Sequence, residues 1–380
     1  MKRILLCVAT LATVALAGCW VQNNNTASQV KTVKIGVIAP ISWPAATIWE
    51  DAVNAYKMAA EGFNKANKNI QVDLIIEDGK CNGKDATSAA QKLVNVDQVK
   101  IILGWVCSSE TLAASKITEP AGVVLISSVS SSPEISKIKS YTYRYYNDIN
   151  QAATMKSYLE KYGMTKIALL YENTDYGVGF ATALKNALGA ENVIVEQKFD
   201  VDEKDFSIIA KQVTKSKNNI QAIVYIPNDD SSSINVIRSL DKEGLITAFS
   251  GKIVTAEAGY SAATVKELGP LMNGILTSQL PDVTMLGSWA AEFIQQFKQQ
   301  YEPKFSEMFV LLYKEAFDLV ARGITNPNYG ENNLNSYIPT ITKENPASGL
   351  IGSYYFSWVD VVGVSFVIKE VQNGKLVPAQ

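Results

Sequence analysis

One pattern occurs twice in succession between residues 100 and 138: a short apolar run, a serine-rich turn and the start of a helix. The apolar runs at 101–103 and 123–126 predict two buried strands, and their alternation with helices predicts a doubly wound α/β sheet. In such sheets ligands bind beyond the carboxyl ends of the strands. The unpaired N–H groups at helix starts favour anions there. The two serine turns therefore predict a cradle for a carboxylate.

The same alternation extends through most of the chain, whose 380 residues, 47% of them hydrophobic, are enough for two domains. Residues 141–150 have high strand propensity and predict a crossing into a second lobe. The alternation then restarts, with a strand near 248–250 among those predicted. Segments 274–281 and 351–371 predict two further crossings. We expect a first lobe of 33–147 plus 279–351 and a second lobe of 148–278 plus 352–380.

The first residues predict export. Lys2 and Arg3 precede an apolar run, and the sequence LAGC ends at Cys19. This pattern is typical of a signal peptide over residues 1–18. LAGC resembles a bacterial lipoprotein box, which implies that a lipidated Cys19 anchors the protein to the periplasmic or extracellular face of the bacterial cell membrane. The alternative is an ordinary signal peptide in which Cys19 is incidental. Residues 19–32 are polar and predict a tether.

The chain contains no histidine, and its formal net charge is −2 at pH 7. Histidine is the commonest general base and metal ligand, so a Ser-His-Asp hydrolase is excluded. No catalytic residue, cofactor or metal site is predicted. The mildly acidic balance gives no basic surface for nucleic acid. We therefore expect a monomeric binding protein for a small molecule and not an enzyme.

Two cysteines, Cys81 and Cys107, lie outside the predicted signal peptide and anchor. An even pair in an exported protein predicts a disulfide. Such a bond would stabilise the fold by roughly 3–4 kcal/mol through the loop that it closes, and would fix the backbone just before Ser108. The alternative is a pair of free buried thiols.

Three segments, CNGKDATSAAQKLVN from Cys81, GWVCSSETLAAS from Gly104 and VLISSVSSSPEIS from Val124, resemble one family. The chain resembles type I periplasmic substrate-binding proteins of ABC importers, specifically the leucine/isoleucine/valine-binding branch, over roughly residues 33–375. The resemblance implies two Rossmann-like lobes joined by three crossing segments, which close on a ligand like a clamshell. It also implies that the two cysteines form a disulfide and that ABC transporter permease subunits are partners.

The resemblance implies ligand contacts on both lobes. Ser108, directly after the second cysteine, would bind the ligand, while Val129 and Ser131 would offer a backbone group and a hydroxyl to its carboxylate. In the second lobe the implied contacts are Tyr176, within YENTDYGVGFATAL, and Glu257, within SGKIVTAEAGYSAATV. Glu257 would bind an α-ammonium group.

Two loops depart from the family pattern. Asn228 and Asp229 stand in PNDDSSS, where the family often has an aromatic residue, and this leaves the side-chain preference open. The first loop, ISWPAATIW, differs from the usual glycine-rich version and brings Trp43 near the pocket mouth. Trp105 follows a predicted strand, and two tryptophans at strand ends favour an apolar pocket wall.

Each of these residues also has a simpler interpretation. The serines are preferred N-cap residues, which is compatible with ligand binding. Tyr176 could pack in a turn, Glu257 could be a solvated loop carboxylate, and the tryptophans could belong to the core. Asp229 and Asp230 could bind a cation, although aspartates in turns are more often turn formers.

We expect a receptor that binds a branched-chain or other hydrophobic amino acid between two closing lobes and delivers it to a permease. One alternative is a receptor of the same fold for an amide, urea or an aromatic carboxylate. Another is a ligand sensor that docks to a membrane signalling partner. Glu257 discriminates between the ligands, because one without an ammonium group gives this carboxylate no partner.

Overall fold

The computed structural model describes residues 30–42, 46–104 and 107–379, with the backbone alone for 46–49. The strands in these ranges are β1 (Lys31–Ala39), β2 (Ile70–Asp78), β3 (Ile101–Gly104), β4 (Val124–Ser127), β5 (Thr142–Arg144), β6 (Ile167–Glu172), β7 (Val193–Phe199), β8 (Ala222–Ile226), β9 (Ile253–Thr255), β10 (Ile275–Gln279), β11 (Ala347–Gly349), β12 (Gly352–Ser357), β13 (Asp360–Val362), β14 (Val367–Gln372) and β15 (Lys375–Pro378). The helices are α1 (Ala46–Ala66), α2 (Gly83–Asn95), α3 (Ser108–Ala121), α4 (Asp148–Lys161), α5 (Asp175–Leu188), α6 (Ser207–Ser216), α7 (Asp230–Lys242), α8 (Leu245–Ala248), α9 (Ala262–Leu268), α10 (Ser288–Gln300), α11 (Glu307–Thr325) and α12 (Leu334–Tyr337).

Each lobe is built on a mixed sheet that contains five parallel strands in the same internal order. The first sheet runs β2-β1-β3-β4-β5 and continues through β13, β12 and β11, while the second runs β7-β6-β8-β9-β10 and continues through β14 and β15. In the first sheet Ile101 and Leu103 belong to the core on one face and Ile102 to the core on the other. The predicted α/β fold of two doubly wound lobes is confirmed.

The strand order reverses between β1 and β3 in the first sheet and between β6 and β8 in the second. Ligands of open α/β sheets bind beyond the carboxyl ends of the strands at such reversals. The turns that follow β3 and β4 belong to the first lobe, and the turns that follow β6, β8 and β9 belong to the second. The predicted ligand-binding residues that the structure describes lie in these turns or at the helix starts next to them.

The last crossing lies later in the chain than predicted. β12 and β13 belong to the first sheet, so the chain returns to the second lobe between Val362 and Val367, not at residue 352. Aromatic packing explains the difference, because Phe356 of β12 contacts Tyr143 of β5 with ring centroids 5.4 Å apart. Both rings are buried in the core of the first lobe. The segment that contains β12, which was predicted to belong to the second lobe, therefore packs in the first.

The strand predicted near 248–250 is wrong. This segment lies at the end of the short helix α8, and the strand β9 begins at Ile253. Gly244 and Gly251 have φ angles of 69° and 70°, a left-handed conformation that glycine adopts without steric cost. They turn the backbone on either side of α8 and delay the strand.

Across the described ranges, no helix has both the length and the apolar character needed to cross a membrane.

Candidate functional site

The two serine turns of the first lobe are joined by hydrogen bonds. Ser108 is the first residue of α3, and its hydroxyl accepts the backbone N–H groups of Ser131 at 3.2 Å and Ser132 at 3.1 Å. Ser108, Ser131 and Val129 are all buried. A hydroxyl that accepts two bonds still has its own hydrogen to donate. The first lobe therefore offers a serine O–H backed by two amides, in place of the two open helix starts that the sequence predicted.

The second serine turn does not open a helix of useful length. Residues Pro133–Lys137 form one 3-10 turn of five residues, too short for the helix dipole that the prediction assumed. Arg144, fully buried, holds this turn from within the lobe. Its guanidinium donates to the Ser132 carbonyl at 2.6 Å and the Ser136 hydroxyl at 2.6 Å, and pairs with Asp360 at 2.5 Å.

A disulfide and a buried carboxylate fix the start of α3. Cys81 and Cys107 are bonded, with their Cα atoms 5.3 Å apart, so the predicted disulfide is confirmed. Glu110 accepts the backbone N–H of Cys81 at 3.1 Å and that of Cys107 at 3.4 Å. Burial raises the pKa of Glu110 to about 8. Glu110 is not among the residues predicted from the sequence, although a glutamate at the third position of a helix is the usual sign of a capping box.

In the second lobe Glu257 is a buried acceptor. Only 7% of it is exposed, so it is not a solvated loop carboxylate. Gln151 Nε2 donates to its Oε2 at 2.5 Å, and the Tyr176 hydroxyl donates to its Oε1 at 3.4 Å. Burial raises the pKa of Glu257, whereas hydrogen bonds from Gln151, Tyr146 and Tyr176 lower it.

Asp148 lies between these two groups. It is the first residue of α4, and its backbone N–H donates to the Ser131 carbonyl at 3.0 Å. Its carboxylate is fully buried, and the charge of Glu257 helps to raise its pKa. Asp148 thus connects the serine turn of the first lobe with the acidic residue of the second. The sequence pattern of this segment predicted only a crossing and gave no signal for Asp148, which lies three residues before Gln151.

Asn228 and Asp229 have different surroundings. The Asn228 backbone N–H donates to Glu172 Oε2 at 2.9 Å, and its side-chain amide lies 4.0 Å from the sulfur of Cys81, across the gap between the lobes. Asp229 caps α7 by accepting the Ser232 N–H at 2.8 Å. The part of the chain that the structure describes contains no group of three or more His, Cys, Asp or Glu side chains able to hold a metal ion.

The lobes touch at α5. A Cβ atom on Gly179 would lie 2.7 Å from Ser132 Oγ and 2.9 Å from Pro133 Cδ of the first lobe. The second lobe therefore rests against the serine turn, and only a residue without a side chain permits this approach. The structure represents a conformation in which the cleft is narrow.

The structure thus brings Ser108, Ser131, Tyr176 and Glu257 to the inner faces of the two lobes, with Val129 in the same turn as Ser131. Trp43, Trp105 and Cys19 lie outside the described residues. The arrangement presents hydroxyl donors on one side and a buried carboxylate on the other. A ligand with an anionic end and a cationic end would satisfy both.

The sequence profile described as periplasmic binding protein matches residues 32–354 of this chain. Among characterised proteins, the chain is 29% identical over 259 residues to a Leu/Ile/Val-binding protein of Escherichia coli K12, which covers 65% of this chain and 68% of that protein.

Solved structures share the fold. A branched-chain amino acid transporter substrate binding protein, LivJ, from Streptococcus pneumoniae in complex with isoleucine superposes with a TM-score of 0.79 at 20% identity, covering 91% of this chain and 98% of the other. A solute binding protein of an ABC transporter from Rhodopseudomonas palustris in complex with 4-hydroxybenzoate superposes with a TM-score of 0.78 at 17% identity, covering 92% and 96%.

Proposed function

This chain belongs to the periplasmic binding protein family, whose members bind solutes and are not enzymes, and we propose that it is the exported receptor of an ABC importer for a branched-chain or other hydrophobic amino acid. The ligand lies between the lobes, and the closed form is recognised by permease subunits in the membrane. Support for the ligand class comes from the Leu/Ile/Val-binding relative and from the isoleucine complex of similar fold.

The observation that carries the proposal is the buried carboxylate of Glu257 in the turn after β9, opposite the serine turns of the other lobe. A buried carboxylate loses water and needs a compensating charge or hydrogen bonds. An α-ammonium group supplies that charge, while the Ser108 hydroxyl and the amides behind it suit the α-carboxylate. Charge-assisted hydrogen bonds of this kind contribute about 1.5–3 kcal/mol each.

Closure follows from the division of these groups between the lobes. A ligand that contacts both lobes binds the closed form more tightly than the open form, so it shifts the equilibrium towards closure. The contact of Gly179 with Ser132 and Pro133 supports a closed state in which the inner faces meet. The transporter can then distinguish loaded from empty receptor by shape.

An aromatic carboxylate is the second candidate ligand, because a solute binding protein of the same fold binds 4-hydroxybenzoate. Asn228 and Asp229, at a position where the family often has an aromatic residue, also leave the side-chain preference open. Such a ligand has no ammonium group. It would use the serine cradle but would leave Glu257 without a counter-charge, and this difference separates the two candidates.

The test is a calorimetric titration of purified protein, unfolded and refolded to remove bound solutes, with L-leucine, L-isoleucine and 4-hydroxybenzoate. We expect the amino acids to bind and Glu257→Gln to weaken their binding at least tenfold, which corresponds to roughly 1.4 kcal/mol. Glu61→Gln, on the exposed face of α1, is the matched control and should bind as wild type does. Unchanged leucine affinity in Glu257→Gln, or binding of 4-hydroxybenzoate alone, would refute the proposal.

A further inference from the structure

Asp148 is a buried acid without the partners that a charged carboxylate requires. Its exposure is 0%, and in the described part of the chain neither carboxylate oxygen has a hydrogen-bond partner. Glu257, the acid beside it, receives hydrogen bonds from Gln151 and Tyr176. The two carboxyl groups share one region, but Glu257 accepts two side-chain hydrogen bonds, whereas the Ser131 hydroxyl faces Asp148 without a hydrogen bond of normal geometry to its oxygens.

The charged and titratable groups near Asp148 offer it little counter-charge. Glu257 is itself acidic, and Tyr146 and Tyr176 are phenols whose pKa values burial and the neighbouring carboxylates raise. Arg144 is the nearby cation, but its guanidinium is engaged by Asp360, Ser132 and Ser136. The Ser131 hydroxyl faces Asp148 and is neutral.

Two ionised carboxylates in one buried region, without a cation between them, repel each other and lose their hydration. One of them therefore holds a proton. The hydrogen bonds from Gln151 and Tyr176 stabilise the charged form of Glu257, whereas the Ser131 hydroxyl and the engaged Arg144 stabilise that of Asp148 too weakly to offset its burial. Burial first, and the charge of Glu257 second, raise the pKa of Asp148 well above its ordinary value, against smaller lowering effects of Ser131 and Arg144.

We propose that Asp148 is a neutral carboxylic acid at neutral pH, leaving Glu257 as the one ionised carboxylate that meets the ligand. The consequence for the ligand rests on the proposed function. The site then carries a single negative charge, which matches a ligand with one ammonium group. A diamino acid would bring a second cation for which the site has no ionised partner.

Infrared difference spectra of ligand-free protein at pH 7 test the protonation directly. The C=O stretch of a protonated carboxylic acid should be present in wild type and lost in Asp148→Asn, because that substitution removes the acid and keeps its shape. Glu257→Gln should retain the band. Other buried acids such as Glu110 are common to all the spectra and cancel in the differences.

The opposite pattern would overturn the proposal: the acid C=O band lost in Glu257→Gln and retained in Asp148→Asn. A loss of ionised carboxylate bands in Asp148→Asn would also overturn it. If Asp148→Asn does not fold, wild-type protein labelled with carbon-13 at its aspartate carboxyl groups, or at its glutamate carboxyl groups, decides the question. An acid band that shifts on aspartate labelling supports the inference, and acid bands that shift on glutamate labelling alone contradict it.

Calorimetric titration with L-leucine measures the effect of each variant on ligand binding. Asp148→Asn should bind within about threefold of wild type, whereas Glu257→Gln should lose at least tenfold. Equal losses in the two variants would make Asp148 an ionised partner of the ligand and refute its neutral role. Wild-type protein that binds no leucine would refute the proposed amino-acid ligand, while the infrared spectra would still decide where the proton is.

Discussion

The Ser108 hydroxyl serves the fold, and we propose that it also serves the ligand. It accepts two backbone N–H groups from the following serine turn, so its own hydrogen is the donor left for a bound carboxylate. The sequence offered N-capping and ligand binding as compatible interpretations of this serine. In the structure Cys107 is the N-cap of α3 and Ser108 is its first residue, and the Ser108 hydroxyl joins the turn after β3 to the turn after β4.

Ser108→Ala is expected to weaken leucine binding and also to destabilise the protein by about 1–3 kcal/mol, because the buried amides of Ser131 and Ser132 lose their acceptor. Urea unfolding and calorimetric titration measure the two effects. Ser157→Ala, on the exposed face of α4, is the control and should change neither. Wild-type stability in Ser108→Ala would show that the two amides do not depend on this hydroxyl.

Among the elements, the start of α3 is the most heavily constrained. The disulfide, the Glu110 carboxylate and the packing of α2 against α3 all act on the residues just before Ser108. Because the pKa of Glu110 is raised in the folded protein, the free energy of unfolding should depend on pH in a direction that can be worked out. The chain has no histidine, so buried carboxyl groups dominate its titration between pH 5 and 8.

Glu110 has a pKa of about 8 in the folded protein, against 4.5 as its ordinary value. Between these values the folded state binds a proton that the unfolded state has lost, so stability falls as pH rises. We expect the free energy of unfolding of wild type to decrease from pH 5 to 8 more steeply than that of Glu110→Gln. Urea unfolding at several pH values measures both slopes. Asp51 and Glu172 have raised pKa values in wild type and in Glu110→Gln alike, so only the difference between the two pH slopes of the unfolding free energy reports on Glu110. Equal slopes in the two proteins would contradict the prediction.

The elements could be predicted from the sequence where apolar periodicity was strong, as at β3 and β4. The prediction failed where a glycine with positive φ or a distant aromatic contact decided the path: Gly244 and Gly251 delay β9, and Phe356 draws β12 into the first lobe. At the site, family resemblance supplied Ser108 and Glu257. Asp148 was not predicted, because its proposed role depends on Ser131 and Glu257 lying close to it in space, and no local sequence pattern encodes that proximity.

At the scale of the whole molecule, one of the contacts between the lobes depends on a position without a side chain. Gly179 of α5 lies against Ser132 and Pro133, where a methyl group would lie 2.7 Å from a serine oxygen. Its backbone is helical, so alanine there favours the helix itself. A substitution should therefore disturb closure and not folding.

Gly179→Ala is expected to retain or raise the melting temperature, to bind leucine at least tenfold more weakly, and to show less ligand-induced compaction by small-angle X-ray scattering than wild type. Gly62→Ala, in α1 with open space around the new methyl group, is the control and should compact normally. A Gly179→Ala protein that closes as wild type does would show that the contact at α5 is not required for closure.

The central claim is that the cleft binds both charged ends of an amino acid at once. The most direct measurement is a calorimetric comparison of L-leucine with 4-methylpentanoate, which has the same carboxylate and side chain but no ammonium group, on refolded wild-type protein. The account predicts binding of leucine and an affinity for the acid lower by at least tenfold. Equal affinities, or tighter binding of 4-methylpentanoate, would contradict it.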